Sequence, residues 1–208
     1  VGLLLAVYIH TSQLQNVRHV HTASGGVGGM GLMGNKGAVA VRLHLVDATL
    51  CFVCSHLAAH RENVTGRNTD FANCTTKLQF DVGEMVLREM IRNGSLPALQ
   101  SATASSLGLD DHEHVIWLGD LNYRIDESLS TEQVLKMAAD PASWAALANL
   151  DQLNIERAAG RAFAGYSEGV LQFAPTYKYQ PGTHHYDQRP DKKIRAPAWC
   201  DRILWKSR

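Results

Sequence analysis

The sequence has no excess of charge, no long apolar run, few cysteines and no repeats. Twenty Lys and Arg balance twenty Asp and Glu, which argues against a general binder of nucleic acid or of membrane surfaces. No apolar stretch is long enough to cross a bilayer. The opening VGLLLAVYI lacks a basic leader and a cleavage site, so it favours a buried strand over a signal peptide. Four cysteines form no disulfide framework, which indicates free thiols in a reducing compartment.

The positive charge is concentrated in one part of the sequence. Pro175–Arg208 contains eight Lys and Arg against three Asp, so it carries +5, and the first 174 residues carry −5. A basic run is usually a solvated face or a loop. Because this one lies among aromatic-rich, strand-like segments, an anion-binding site is the alternative that stays open.

Hydrophobic periodicity predicts a single α/β domain over residues 1–208. A repeat of about 3.6 residues predicts a helix from about Asn68 to Arg92. Helix N-cap signals follow at Ser130, which resembles a capping box, and at Asp140, which precedes a proline. Strand-like segments, rich in Val, Ile, Leu and aromatic residues, lie at 1–10, 37–46, 48–57 and 113–121.

The glycine-rich stretch 25–41, GGVGGMGLMGNKGAVAV, satisfies the G-x-G-x-x-G dinucleotide-binding pattern twice. Its glycines lead into a strand, in which Arg42 and His44 share one face, whereas a dinucleotide fold needs a helix there. A phosphate-binding loop is also excluded, because Lys36 lies between Asn and Gly with no Ser or Thr after it. The stretch is therefore either a turn whose amides and Lys36 meet an anion or merely a tight turn.

Polar side chains lie where two predicted strands end. Asp120 and Asn122 are two residues apart, so in an extended segment both side chains can lean toward one site. A carboxylate can accept a proton from water and a carboxamide can hold a phosphoryl oxygen; a turn that satisfies local backbone amides is the alternative. His56 ends another strand, with His60 four residues on, and is either a structural histidine or part of a site at one edge of a sheet.

Asp201 lies close to two tryptophans, Trp199 and Trp205. A carboxylate among aromatic side chains is either a buried structural acceptor or a group that orients a catalytic histidine. The residues alone leave both interpretations open.

Eight motifs, spread over nearly the whole chain, resemble the inositol polyphosphate 5-phosphatases, a branch of the superfamily that includes DNase I, exonuclease III and the neutral sphingomyelinases. The motifs are GLLLAVYI, MGNKGAVAVR, SHLAAH, RNTDF, WLGDLNYRI, LNIERAAGRAFAGYSEG, FAPTYKY and RAPAWCDRILW. The two that contain tryptophan are the most specific. The resemblance implies a four-layer α/β/β/α sandwich of the DNase I-like superfamily, with two sheets face to face and helices outside. It also implies Mg²⁺-dependent hydrolysis of the 5-phosphate of phosphoinositides, such as phosphatidylinositol 4,5-bisphosphate, or of soluble inositol polyphosphates.

The resemblance implies a role for each strand-end residue. Asp120 is similar to the group that aligns and deprotonates the attacking water, Asn122 to the residue that holds the scissile phosphate, and His56 to one that stabilises charge on it. Asp201 is similar to the partner of a second catalytic histidine. Substrate contacts are implied for Asn35, Lys36, His60, Tyr177, Lys178, Lys193, Arg195 and Arg202. Four of these are similar to the residues that bind the 4-phosphate: Tyr177, Lys178, Lys193 and Arg195. The point charge of lysine and the planar fork of arginine are well suited to binding a phosphate.

The expected partners are a phosphoinositide or inositol phosphate substrate and, by peripheral contact, a membrane. The expected place of action is the cytoplasm, at the cytosolic face of membranes, with no nucleic acid bound. The sequence contains no indication of an oligomeric state. Two rivals stay open: an enzyme of the same superfamily that acts on DNA or sphingomyelin, and a module that binds headgroups without catalysis.

Three motifs of complete family members have no counterpart in this sequence. A WNVNG-like strand and a QE motif, which carries the magnesium-binding glutamate, precede the matching region, and an SDH motif with the second catalytic histidine follows it. The resemblance therefore implies a catalytic domain that is incomplete at both ends and has no certain metal ligand. We expect the 208 residues alone to lack phosphatase activity.

Overall fold

The computed structural model describes residues 2–27, 36–92, 94 and 106–208. The chain divides into two compact units. The first unit comprises Val1–His56, Ala72–Leu118 and Leu204–Arg208, and the second comprises Leu57–Phe71 and Gly119–Ile203.

Within the described residues the chain forms eight strands and five α-helices. In chain order they are β1 (Val17–Gly26), β2 (Gly37–Leu45), β3 (Ala48–His56), α1 (Val64–Lys77), β4 (Phe80–Asp81), α2 (Gly83–Arg92), β5 (Ser106–Leu107), β6 (His114–Asp120), α3 (Thr131–Ala138), α4 (Trp144–Asn149), α5 (Gln152–Ala158), β7 (Ser167–Glu168) and β8 (Asp201–Ser207). Six strands pair in the order β1-β2-β3-β6-β8-β7, and β4 pairs with β5 in a small second sheet. The prediction of an α/β fold is confirmed. None of the described helices is long and apolar enough to span a bilayer.

In the first unit, β1, β2 and β3 form an antiparallel meander. Gly26 pairs with Gly37, so residues 27–36 connect β1 to β2, and the glycine motif joins two strands instead of opening a helix. Gly37 has φ +153°, and a Cβ there would lie 2.3 Å from the backbone oxygen of Gly25, so only glycine fits the start of β2. Residues 28–35, which include the predicted contact Asn35, lie outside the described residues.

The polar face of β2 is the buried one. Arg42 and His44 are 0% and 4% exposed, whereas Val39 and Val41 on the opposite face are half-buried. The Arg42 guanidinium donates to Nε2 of His112 (3.0 Å) and to a backbone oxygen (3.0 Å). Internal hydrogen bonds of this kind offset part of the cost of burying a polar side chain.

Two segments differ from the predicted secondary structure. Residues 2–10 form no strand, and Leu4 and Tyr8 are 86% and 92% exposed. An apolar sequence forms a strand only beside a hydrogen-bonding neighbour, and no described strand pairs with this segment. The predicted helix from Asn68 to Arg92 is two helices, α1 and α2, separated by β4. The interruption follows from the pairing of β4 with β5 and from Gly83, the first residue of α2, whose φ is +72°.

In the second unit, the helix signals of the sequence are confirmed. Ser130 accepts a hydrogen bond from the backbone N–H of Gln133, whose side chain accepts one from the N–H of Ser130, and α3 begins at the next residue. Asp140 caps a 3₁₀ turn at Pro141–Ser143 that leads into α4. These helices pack on a core that includes the fully buried Trp199. This core fixes the segment that leads into β8.

Candidate functional site

In the first unit, the strand-end histidine contacts the lysine of the glycine motif. Lys36 directly precedes β2, and His56, the last residue of β3, pairs with Gly37 across the two strands. The Lys36 ammonium is hydrogen-bonded to Nε2 of His56. Because an ammonium only donates, Nε2 of the imidazole is the acceptor of this hydrogen bond. An ammonium beside an imidazole at one strand end can bind an anion such as a phosphate.

In the second unit, β6 ends in a tight turn at Asp120 and Asn122. Oδ1 of Asp120 accepts a hydrogen bond from the backbone N–H of Asn122 (3.1 Å), which is the local turn that the sequence left open as an alternative. The backbone oxygen of Asp120 accepts from the N–H of Leu57 (3.1 Å). Asn122 has φ +57°, a left-handed conformation that asparagine tolerates better than most residues. A carboxylate can accept several hydrogen bonds, so this turn does not exclude contact between Asp120 and a water.

The carboxamide of Asn122 is held at both ends. Its Nδ2 donates to the backbone oxygen of Leu57 (3.0 Å), and its Oδ1 accepts from Nη2 of Arg124 (2.7 Å). The residue is only 4% exposed. Since an amide nitrogen has two hydrogens, one N–H donor of Asn122 is left for a ligand.

Arg124 is a candidate site residue that sequence reasoning missed. Its Nε donates to the backbone oxygen of Asn122 (3.1 Å), and its guanidinium lies over the ring of Tyr177, with 4.2 Å between Cζ and the ring centroid. It therefore contacts two of the predicted site residues. The signal was present in the string LNYRI, but the sequence does not show that this arginine folds back over its own turn.

Tyr177, the first of the predicted 4-phosphate contacts in the chain, has a backbone fixed by hydrogen bonds. Tyr177 and Ala198 exchange two backbone hydrogen bonds of 3.0 and 2.9 Å. The Lys178 ammonium lies 3.8 Å from Asp187, and the lysine side chain is 48% exposed. Arg189 binds Asp187 through both sides of its fork (2.8 Å each), and these hydrogen bonds lower the pKa of Asp187 to about 2. Because Arg189 takes up much of the charge of Asp187, Lys178 remains able to bind an incoming anion.

The other two predicted 4-phosphate contacts, Lys193 and Arg195, are exposed. Neither has an ion pair or a hydrogen bond from its side chain to the part of the chain that the structure describes. In the basic run, Arg189 is therefore neutralised by Asp187, whereas Lys193 and Arg195 are exposed cations. Such groups suit an anion, although a solvated face has the same appearance.

The remaining predicted site residues differ in their surroundings. His60 is exposed and has φ +79°, and its backbone oxygen accepts a hydrogen bond from Arg67 (2.5 Å). Asp201 is exposed at the first position of β8. Their predicted roles stay predictions.

Arg202 is placed differently from the prediction. Its guanidinium is completely buried and donates to Glu168 (2.6 Å from Nε and 2.6 Å from Nη2) and to Asp151 (2.9 Å). Burial raises the pKa of Asp151, although the adjacent Arg202 opposes the shift. Arg202 therefore holds two carboxylates together inside the second unit and has no exposed donor for a substrate, contrary to the prediction.

No group of three or more His, Cys, Asp or Glu side chains suited to a metal ion occurs within residues 2–27, 36–92, 94 and 106–208.

Comparison with known proteins gives a consistent result along the whole chain. Residues 1–208 match the family model described as Endonuclease/Exonuclease/phosphatase family 2. The Type I inositol polyphosphate 5-phosphatase 5 of Arabidopsis thaliana is 39% identical over 211 residues, which cover 99% of this chain and 37% of that protein. The Type II inositol 1,4,5-trisphosphate 5-phosphatase of Mus musculus is 39% identical over 208 residues, which cover 100% of this chain and 19% of that protein. The chain thus spans less than half the length of both relatives.

Among solved structures, the inositol polyphosphate 5-phosphatase domain of SPsynaptojanin, in complex with inositol (1,4)-bisphosphate and a calcium ion, has a similar fold. The TM-score is 0.76 at 34% identity, and the match covers 94% of this chain and 49% of that one. This likeness confirms the predicted DNase I-like α/β fold.

Proposed function

Because the chain belongs to the endonuclease/exonuclease/phosphatase family 2, we propose that the protein containing it hydrolyses the 5-phosphate of inositol phosphates. The substrates are phosphoinositides such as phosphatidylinositol 4,5-bisphosphate, or soluble inositol polyphosphates. The observation that carries the proposal is the turn after β6, where Asp120 is followed by an Asn122 whose carboxamide is held rigidly and keeps one N–H donor. Such a turn combines a proton acceptor with an oriented donor, which phosphate hydrolysis requires.

The proposed reaction is an in-line displacement at phosphorus. Asp120 accepts a proton from a water whose oxygen forms the new bond to phosphorus. The bond between phosphorus and the inositol oxygen breaks, and this oxygen leaves with the electron pair and takes a proton from solvent. The free N–H of Asn122 donates to a phosphoryl oxygen, and His56 stabilises the charge that develops on the phosphate. The products are inorganic phosphate and an inositol with a free 5-hydroxyl group.

The proposed substrate contacts are cationic or polar side chains. Lys178, Lys193 and Arg195 are exposed or half-exposed cations, and they bind the 4-phosphate together with Tyr177. Lys36, Asn35 and His60 contact the headgroup. Asp201 orients a second catalytic histidine, as the resemblance implies. Arg202 is left out of this set, because its donors are used inside the second unit.

Mg²⁺ is the proposed metal. The SPsynaptojanin domain holds a calcium ion, which supports a requirement for a divalent cation. The described residues contain no cluster of three or more His, Cys, Asp or Glu side chains that could hold this ion. The proposed place of action is the cytosolic face of membranes, reached by peripheral contact.

The decisive experiment measures phosphate release by the natural protein that contains this chain, with Mg²⁺ and short-chain phosphatidylinositol 4,5-bisphosphate. Asp120→Asn keeps the size of the side chain but removes the proton acceptor, and we expect kcat to fall by about 100- to 10,000-fold. Asp126→Asn is the matched control, because Asp126 also caps a local turn, through the N–H of Ser128 (3.0 Å). Equal rates for Asp120→Asn and the unsubstituted protein would contradict the proposal. Tight headgroup binding without any phosphate release would favour the non-catalytic module instead.

A further inference from the structure

Arg124 emerges from a backbone that is fixed on both sides. Its N–H donates to Oε1 of Gln152 (2.9 Å), and its backbone oxygen accepts from the N–H of Gln152 (2.8 Å). The residue is 7% exposed. The backbone of Arg124 is therefore fixed, and its low exposure is unlike that of a mobile surface arginine.

The charge of this buried guanidinium has no carboxylate partner in the described part of the chain. Arg202, by contrast, has two carboxylates within 2.9 Å. Burying a cation without a counter-ion costs stability. A cost of this kind is typical of a site that meets its counter-ion only when a ligand binds, and a phosphate next to Asn122 is such a ligand.

The edge of the guanidinium fixes the orientation of Asn122. Nη2 donates to the side-chain oxygen and Nε to the backbone oxygen of the same residue (2.7 and 3.1 Å). A carboxamide turned by 180° would place its N–H groups against the donors of Arg124 and would lose the bond to Leu57 as well. Arg124 therefore keeps Asn122 in the orientation that leaves one N–H donor of its carboxamide for a ligand.

The face of the same guanidinium lies on Tyr177. The 4.2 Å separation from the ring centroid is a cation–π contact, and the backbone of Tyr177 is tied to Ala198. The plane of one side chain thus joins the residue proposed to hold the 5-phosphate with one proposed to bind the 4-phosphate.

We infer that Arg124 is a positioning residue that couples these two phosphate positions, setting both the donor orientation of Asn122 and the placement of Tyr177. The inference rests on the proposed function. It follows that replacing Arg124 lowers turnover through Asn122 and lowers discrimination for the 4-phosphate through Tyr177. A residue with a purely structural role would instead change stability without changing discrimination.

The first test is a double-mutant cycle in the natural protein that contains this chain. Arg124→Lys keeps the positive charge, but lysine lacks the planar group that donates to both oxygens of Asn122 and stacks on the ring of Tyr177. We expect kcat to fall about 10- to 100-fold, because the donor of Asn122 is misplaced. In the Asn122→Ala background the same change should alter kcat by less than about twofold, because the target of Arg124 is already gone. Losses that multiply in the double variant would overturn the inference.

The second test measures discrimination for the 4-phosphate and the recovery of activity in free guanidinium. The ratio of kcat/KM for phosphatidylinositol 4,5-bisphosphate to that for phosphatidylinositol 5-phosphate should fall about 10-fold in Arg124→Lys. Arg124→Ala should regain part of its kcat in millimolar guanidinium chloride, since free guanidinium can fill the same position. Arg161→Lys is the matched control, because Arg161 belongs to the same unit and its side chain is 55% exposed. An unchanged ratio together with no rescue would overturn the inference.

A third measurement separates this inference from the proposed reaction. Inositol 1,4-bisphosphate carries the 4-phosphate but no 5-phosphate, so its binding by calorimetry requires no hydrolysis. Arg124→Lys should weaken this binding several-fold, because Tyr177 loses the cation–π contact that places it, while Arg161→Lys should not. Absence of phosphate release with intact, Arg124-dependent binding would reject the reaction and keep the coupling. Binding that is indifferent to Arg124→Lys would reject the coupling.

Discussion

The ammonium of Lys36 is hydrogen-bonded to Nε2 of His56, although the two residues are twenty positions apart in the chain. The register of β2 against β3 produces this contact, because His56 pairs with Gly37. A lysine from the glycine-rich connection and a histidine from a strand end thus form one cationic group. The sequence predicts His56 as a contact of the scissile phosphate and Lys36 as a contact of the headgroup, and the hydrogen bond shows that the two side chains are neighbours.

Replacing Lys36 with Met should weaken substrate binding by the natural protein that contains this chain. The loss of one charge-assisted hydrogen bond to a phosphate is expected to raise KM about 10- to 100-fold. The measurement is the KM for phosphate release from a soluble inositol polyphosphate. Lys206→Met is the control, because Lys206 lies in the same unit and forms an ion pair with Asp110 (2.7 Å). A KM that stays the same would show that Lys36 only supports His56.

Removing Lys178 and Arg195 together, as Met variants, should change specificity more than turnover. We expect kcat/KM for a 4,5-bisphosphate to fall at least about 10-fold more than that for the corresponding 5-phosphate, because only the former has a 4-phosphate to lose. Lys192→Met is the control, since Lys192 is paired with Asp191 (3.3 Å). Equal losses on both substrates would count against the assignment and in favour of a different substrate in the same superfamily.

Acid should destabilise the first unit through His44. Burial, followed by the charge of Arg42, lowers the pKa of His44 from 6.5 to about 4. The unfolded chain therefore takes up a proton below pH 6.5 that the folded chain does not accept until about pH 4. The contribution of His44 to the free energy of unfolding is fully present above pH 6.5. It decreases as the pH falls from 6.5 to about 4, and the loss at pH 5 is roughly 2 kcal/mol.

His44→Gln should flatten this dependence, because glutamine does not titrate. The measurement is the free energy of unfolding in urea at pH 7 and at pH 5, with the exposed His185→Gln as control. His112, whose pKa burial also lowers to about 4, should give a second decrease of the same sign. A pH profile of His44→Gln identical to that of the unsubstituted protein would contradict the account.

Replacing Arg202 with Met should reduce stability and leave substrate binding unchanged. The change leaves Asp151 buried without its counter-ion, which costs about 3–5 kcal/mol. Arg161→Met breaks the ion pair with Glu156 (2.7 Å) at a half-exposed position and should cost much less stability than Arg202→Met. Urea unfolding measures both values. A raised KM with unchanged stability would return Arg202 to the set of substrate contacts.

Several features of the fold were predictable because they depend on short stretches of sequence. The strands around Val53 and Trp117 are continuous apolar runs, and the helix that begins after Ser130 has its capping signal within four residues. The exclusion of a dinucleotide fold likewise needed only the strand pattern after Gly37. The signals for these features are the local hydrophobic pattern and the local capping residues, so neighbouring residues are sufficient to predict them.

Other features depend on partners that are distant in the chain. The alternating pattern of β2 does not show that Arg42 and His44 face inward, because His112, which accepts from Arg42, lies 70 positions away. The apolar segment at 2–10 reads as a strand, but a strand needs a neighbour, and none of those described pairs with it.

The amino-acid sequence by itself determined which residue types are available at each strand end: an acid and an amide after β6, an imidazole after β3, and a run of cations further on. The tertiary structure alone decided what each of them contacts. It placed Arg202 between two buried carboxylates, and it brought the guanidinium of Arg124 into contact with both Asn122 and Tyr177. The physical reason is that the identity of a side chain determines its charge and donors, whereas burial and long-range backbone register determine which of those donors can still reach a ligand.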